Sequence, residues 1–364
     1  MKVLCITQKR MNEALPCMKI AAKKLGETIE IYGEEYDNPE YIQLTEYFVM
    51  VEKNGPEGQP IPSFINKYSD TEIFISFYEP FSRKVMDILQ NAKIIGSIRG
   101  GYQHINVEEA TKRGIAVFSV PGRNAHSVSD YTIAMILAEA RELSRNSSHI
   151  MAGDWLNPLF KTHYQPELYE KTIGIVGLGS VGRLVAKKLI NGWDMRVLGY
   201  DPFISKEDAL KMGVRLVDLP TLFRESDFIS IHAKATKNNN KMVNGELLSL
   251  MKPTAFFINT ARASLVDNIA LYRILKDRKI AGAALDVMDV EPIPKGDPFL
   301  SLENVTITGH LAGNSSDTIS NSPYLLVKEI IDFIKNGSKV GLVNPEVLEN
   351  EKFFTWKLKM KERL

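Results

Sequence analysis

Residues 171–189, KTIGIVGLGSVGRLVAKKL, constrain the fold more than any other stretch of the chain. An apolar run, 172–176, enters a turn holding Gly177, Gly179 and Gly182, and a series of good helix formers leaves it. A strand that passes directly into a packed helix needs this layout. Gly177 permits the tight turn, Gly179 lets the backbone approach a pyrophosphate, and Gly182 allows the helix to pack close on the strand. The first helical residues, Ser180 and Val181, carry N–H groups without intrahelical partners, which attract phosphate oxygens. The next strand, MRVLGY, ends in Asp201. A carboxylate there accepts hydrogen bonds from ribose hydroxyls and repels a 2′-phosphate, so the pattern predicts NAD rather than NADP. An aspartate before Pro202 is also an ordinary turn residue. Strand, glycines and acid together favour the dinucleotide site.

The strand–helix series continues through MRVLGYD, FISIHA, AFFINTA, GAALDV and VTITGH, enough for a full doubly wound parallel sheet. A separate series fills the first third: KVLCIT, TIEIY, EIFISFY and AKIIGSI read as strands, with helices over 11–26 and 82–91. Residues 33–70, which include NGPEGQPIP, read as an irregular insertion. A long helical stretch covers 124–150, and one more long helix, about 318–336, precedes a tail. The middle segment holds a complete sheet, whereas the N-terminal sheet lacks cover for its last edge and the C-terminal helix lacks a sheet. The economical arrangement is α/β with two doubly wound, Rossmann-like domains. Residues 1–121 and 314–364 form a discontinuous, flavodoxin-like substrate domain, and 122–313 form an inserted NAD-binding domain.

Charge balance narrows the partners. Lys and Arg number 45 against 44 Asp and Glu, so there is no basic excess of the kind a nucleic-acid binder carries. No uncharged apolar stretch approaches membrane-spanning length. Cys5 and Cys17 are the only cysteines, too few for a disulfide framework or a zinc motif, which fits a reducing cytoplasmic setting without a metal site.

Three ionisable residues stand where strands of the second sheet end. Arg262 follows AFFINTA, Glu291 follows GAALDVMDV, and His310 follows VTIT. Ligands of such sheets sit outside the carboxyl ends of the strands. Alone, Arg262 reads as a helix cap, Glu291 as a solvated turn residue and His310 as a core histidine. Together they supply what oxidation of a 2-hydroxy acid needs. Arg262 grips the carboxylate and polarises the C2 oxygen, His310 moves the proton, and Glu291 fixes the imidazole.

The segments GRNAHSVSDYTIAMILA, GIVGLGSVGR, INTARASLVD, ALDVMDVEP and TGHLAG, in this order, resemble the D-isomer-specific 2-hydroxyacid dehydrogenases over nearly the whole chain, in particular their phosphoglycerate dehydrogenase-like and hydroxypyruvate reductase-like members. The resemblance implies NAD as cofactor, a small 2-hydroxy or 2-keto acid as substrate, and a homodimer formed through the nucleotide domain, including the helical stretch near 124–150. It carries the catalytic roles onto Arg262, Glu291 and His310, places Asp286 near the nicotinamide carboxamide, and lines the cofactor with His232, Thr260, Ala261 and Gly313. The family usually has proline at Gly309, glycine at Ala263 and glutamate at Asp130. Its Gly-x-Gly substrate loop stands here as Arg99-Gly100-Gly101, and Asn106 replaces a common aspartate. The loop is still expected to offer backbone N–H groups to the substrate carboxylate. Arg99 either ties loops together, with Glu79 as a partner, or meets a polar or phosphorylated C3 group, as in 3-phosphoglycerate or glycerate/hydroxypyruvate. An NAD(H)-sensing regulatory protein on the same fold is the alternative. Formate oxidation is disfavoured, because members with that activity carry glutamine at Glu291.

Overall fold

The structure is a computed structural model that describes residues 1–9, 13–26, 29–36, 47, 50, 51, 54–155 and 165–364. The chain folds as two compact units, Met1–Arg123 with Ser315–Leu364, and Asn124–Asn314.

The first unit holds β1 (Lys2–Gln8), β2 (Glu30–Tyr36), β3 (Ile73–Ser76), β4 (Ile94–Ser97) and β5 (Ala116–Phe118). They form one parallel sheet in the order β2-β1-β3-β4-β5. Its central strands are continuous apolar runs because both faces are covered. The helix Ser316–Asn336 supplies part of that cover, burying Leu326, Val327, Ile330, Phe333 and Ile334. It packs so closely that a Cβ on Gly96 of β4 would stand 2.8 Å from Leu326. The returning chain also seals the β5 edge. Ser119 N–H donates to Gly341 at 2.9 Å, Val343 N–H to Val117 at 2.8 Å, and Asn344 Oδ1 accepts from Val117 N–H at 2.7 Å. An open edge would otherwise expose unpaired backbone groups.

Sequence pattern and structure differ here in specific places. β5 has three residues, between Gly114 and Pro121, too few to show a period. Beyond Asn336, where a tail is expected, there is a helix, Glu351–Arg363, capped by Asn350. Phe353, Trp356 and Met360 anchor it, and its lysine-rich face dilutes their signal. The helix expected over 11–26 spans Ala14–Ala22 and tightens into a 3-10 turn at Lys23–Leu25; residues 11 and 12 lie outside the described residues. Of the insertion expected over 33–70, residues 37–46, 48, 49, 52 and 53 lie outside them too. Its first residues continue β2, in register with β1 as far as Tyr36.

The second unit holds β6 (Thr172–Val176), β7 (Arg196–Tyr200), β8 (Val214–Leu216), β9 (Phe228–Ile231), β10 (Phe256–Asn259), β11 (Gly282–Leu285) and β12 (Val305–Ile307). All pairs are parallel, in the order β12-β11-β10-β9-β6-β7-β8. β8 is a short edge strand absent from the sequence-based series. The stretch 124–150 is not one helix but two, Ala125–Ala140 and Leu143–Met151, broken at Glu142, whose φ is 52°. The break turns Arg145 back onto the buried Glu139 at 3.1 Å. Strand order reverses between β6 and β9, and the loops after those two strands are where this class of sheet opens a crevice. No helix among the described residues is long and apolar enough to cross a membrane.

Candidate active site

The glycine turn follows β6 at this reversal. Gly177 has φ +95°, and a Cβ there would meet the Ala233 backbone after β9 at 2.6 Å. A Cβ on Gly182 would stand 2.0 Å from the Gly177 carbonyl, so the helix Ser180–Trp193 rests directly on the turn. Gly179 is different: nothing lies within 4 Å of its Cβ position. Two glycines are thus required by packing and one leaves open space over the N-terminus of a fourteen-residue helix. Asp201, at the end of β7, accepts from Leu178 N–H at 2.8 Å through one oxygen and from Phe203 N–H at 2.9 Å through the other. It is partly exposed beside the turn. These features fit a dinucleotide: an open backbone cradle, uncapped helix N–H groups and an acid next to them.

Gly182→Ala tests the packing side of this account. The added methyl meets backbone rather than a flexible side chain, so overpacking of about 1–3 kcal/mol is expected. The measurement is thermal denaturation, and an unchanged Tm would contradict the described packing.

Adjacent strands β9, β10, β11 and β12 deliver the remaining residues to the same edge of the sheet. His232 follows β9, with Nε2 2.8 Å from Ser230 Oγ, and burial holds its pKa down at about 4, so the ring is neutral near pH 7. After β10, Thr260 is buried and bonded to Thr132 at 2.9 Å. The Asn259 side chain clamps the turn that carries Arg262. It accepts from Ala261 N–H at 3.0 Å and donates to the Arg262 carbonyl at 3.1 Å. Arg262 has extended backbone angles and an exposed side chain, with Nη1 donating to the Ala261 carbonyl at 2.6 Å.

His310 and Glu291 are brought together. His310 Nδ1 lies 2.7 Å from Glu291 Oε2, and Glu291 Oε1 accepts from Met288 N–H at 2.9 Å. His310 Nε2 has no hydrogen-bond partner among the described residues. The histidine itself has φ 58°, a left-handed conformation that a non-glycine residue adopts only when its surroundings enforce it. Asp286 enforces it. This buried carboxylate accepts from Thr308 Oγ1 at 2.6 Å and Leu311 N–H at 2.9 Å on one oxygen, and from Ala312 N–H at 2.9 Å on the other. Sequence reasoning finds Asp286 but not this use of it, because two of the three donors are backbone groups. On the far side, Ser127 Oγ donates to the Ala312 carbonyl at 2.8 Å, and Gly313 leaves room for Asn124, which a Cβ would approach to 2.5 Å.

Arg99, Gly100 and Gly101 belong to the first unit, in the loop after β4. Ser97 Oγ shapes the loop, accepting from Arg99 N–H at 3.2 Å and donating to the Gly101 carbonyl at 3.1 Å. The N–H groups of Gly100 and Gly101 donate to no atom of the described residues. The Arg99 guanidinium stacks 3.6 Å over the Tyr78 ring. The structural partner expected for it, Glu79, is instead turned to its own loop and accepts from the Phe77 and Tyr78 N–H groups at 2.8 and 3.1 Å. Asn106 caps the next helix through Glu109 N–H.

Comparison with known proteins bears on this geometry. A family model for the NAD-binding domain of D-isomer specific 2-hydroxyacid dehydrogenases matches residues 133–312. The chain is 36% identical over 289 residues to a glyoxylate reductase of Korarchaeum cryptofilum, covering 78% of this chain and 86% of that protein. It is 37% identical over 301 residues to a D-3-phosphoglycerate dehydrogenase of Archaeoglobus fulgidus, covering 83% of this chain but 56% of that one. The fold resembles that of the NAD-complexed D-isomer specific 2-hydroxyacid dehydrogenase from Lactobacillus delbrueckii ssp. bulgaricus, with a TM-score of 0.73 at 22% identity over 94% of this chain and 100% of that one.

Proposed function

The chain belongs to the D-isomer specific 2-hydroxyacid dehydrogenase family, and from that premise we propose that it interconverts a small 2-keto acid bearing a polar or anionic C3 group with its D-2-hydroxy acid. Hydroxypyruvate with glycerate, and phosphohydroxypyruvate with 3-phosphoglycerate, are the pairs that fit this description. The observation that carries the reading is the His310–Glu291 pair, whose free Nε2 stands on the sheet edge that also presents Arg262.

NAD(H), when bound, supplies or accepts the hydride at C2. The turn at Gly177, Gly179 and Gly182, with Ser180 and Val181 at the helix start, holds its phosphates, and Asp201 its adenine ribose. His232, Thr260, Ala261, Asp286 and Gly313 line its other end. Arg262 binds the substrate carboxylate and polarises the C2 oxygen. In the first unit the N–H groups of Gly100 and Gly101, which donate to no atom of the described residues, are donors of the kind a carboxylate accepts. His310 gives a proton from Nε2 to the C2 oxygen in reduction and takes it back in oxidation. Glu291 makes this possible by accepting a hydrogen bond from Nδ1–H, which leaves Nε2 as the site that changes state. The helix Leu143–Met151 buries none of its residues, and Leu143, Ile150, Met151 and Trp155 are exposed, which supports a homodimer formed on this face. A cytoplasmic location accords with the free thiols of Cys5 and Cys17.

The test is a panel of 2-keto acids, including glyoxylate, pyruvate, hydroxypyruvate and phosphohydroxypyruvate, followed by loss of NADH absorbance. Binding of NADH with turnover of none would replace this reading with an NAD(H)-sensing protein. Cofactor choice gives a separate prediction. Asp201→Ser removes the repulsion of a 2′-phosphate, and the ratio of kcat/KM for NADH over NADPH is expected to fall by about tenfold or more. A wild-type enzyme that prefers NADPH would remove Asp201 from the site.

A further inference from the structure

The second unit carries a buried carboxylate that the proposed reaction does not use. Glu139 is the last residue but one of the helix Ala125–Ala140. Met135 and Ile136, four and three residues earlier on the same face, are buried and apolar. Both Glu139 oxygens are engaged. The Arg145 guanidinium grips them in parallel, with Nη1 3.1 Å from Oε2 and Nη2 3.2 Å from Oε1. Thr306 Oγ1, in the middle of β12, donates to Oε2 at 2.6 Å. The carboxylate passes the first residue of β11, Gly282, where a Cβ would collide with Oε1.

The same helix follows the chain from Thr306 to Gly313. Met135 sulfur lies 3.7 Å from Thr308 Oγ1, Ser127 bonds the Ala312 carbonyl, and Asn124 packs on Gly313. His310 stands in the middle of this stretch. Its strand, β12, is a three-residue edge strand with β11 as its one neighbour, and pairing ends where Thr308 N–H donates to the Leu285 carbonyl at 2.9 Å. Thr306 and Thr308 share one face of the strand. Glu139 accepts from the first hydroxyl and Asp286 from the second, so two buried carboxylates hold alternate residues of the segment that delivers His310. A slip of one residue would turn both hydroxyls away from them.

Stability alone does not account for an ion pair at Glu139. The desolvation of two charges offsets their attraction, and well-packed apolar side chains in their place are often as stable or more so. What a carboxylate adds is direction, and fixing register is the best-attested use of such buried groups.

We propose that Glu139 is a positioning residue for the proton transfer: through Thr306 it fixes the register of β12 and so the placement of His310, while Arg145 supplies the charge that keeps the carboxylate in its buried seat. The inference rests on the reading of His310 as the proton donor and adds the group that aims it.

The experiment uses whichever 2-keto acid of the panel above is reduced best. It follows kcat, KM, NADH binding and Tm in wild type, Thr306→Val, Thr306→Ser and the double variant Glu139→Leu with Arg145→Leu. Thr306→Val keeps the branched shape and removes the hydroxyl. A displacement of about 1 Å at a catalytic group can cost about 10²-fold, so a fall in kcat of about tenfold is expected, with KM and NADH binding unchanged. The solvent deuterium isotope effect on kcat should rise, because proton transfer is the step that is slowed. Thr306→Ser restores the hydroxyl and should restore kcat. The double variant should hold or raise Tm while lowering kcat as Thr306→Val does, and adding Thr306→Val to it should cost nothing more. It also serves as the readout if Thr306→Val does not fold. A kcat within about twofold of wild type in these variants overturns the proposal, and so do kcat, Tm and NADH binding that fall together. A wild type that reduces no keto acid removes the dehydrogenase reading and this inference with it. An active wild type matched by its variants overturns this inference alone.

Discussion

Replacing His310 with glutamine is expected to lower kcat for 2-keto acid reduction by about 10²–10⁴-fold, the usual contribution of a positioned general acid. Glutamine retains a similar volume and a donor, so the loop held by Asp286 has no steric reason to move. The proton source at the C2 oxygen is lost. Binding of NADH, which relies on the turn after β6, should be retained, as fluorescence titration would show. KM for the keto acid should change little, because the lost interaction acts on the transition state. Turnover near the wild-type level would mean that His310 does not transfer the proton. A large rise in KM with kcat preserved would mean that it only holds the substrate.

How much of this was legible in the sequence depends on where each feature takes its information. The His310–Glu291 contact is readable because the two residues follow neighbouring strands, His310 three residues after β12 and Glu291 six after β11, and in a parallel sheet the end of one strand lies beside the end of its neighbour. The spacing of Gly177, Gly179 and Gly182 is readable for the same local reason. β5 and β8 are not, because three-residue edge strands show no period, and β8 carries Arg215 in its centre. The helix Glu351–Arg363 is hidden by a lysine-rich face. The break at Glu142 reflects a buried carboxylate, Glu139, whose partners Arg145 and Thr306 lie six and 167 residues away in sequence. Asp286 illustrates the limit most clearly. Its side chain is visible in the sequence, but the backbone N–H groups it binds belong to a loop twenty-five and twenty-six residues later.

Arg262 should be the second large effect, and its kinetics separate two roles. Asn259 clamps both sides of the turn, so the backbone position of Arg262 does not depend on its own side chain. Arg262→Gln therefore removes the charge and the fork while leaving the turn in place. If the guanidinium both binds the carboxylate and stabilises negative charge developing on the C2 oxygen, two losses combine. Removing a donor aimed at such an oxygen costs about 10²–10³ in kcat. Loss of the carboxylate contact raises KM as well, so kcat/KM is expected to fall by about 10³-fold or more. Arg262→Lys should recover little of this, since a single ammonium cannot reproduce two parallel hydrogen bonds. Steady-state kinetics with a saturating cofactor gives the answer. A raised KM with unchanged kcat would confine Arg262 to holding the carboxylate, because an interaction equal in ground and transition states leaves kcat alone. A kcat/KM within a few-fold of wild type would remove it from the active site altogether.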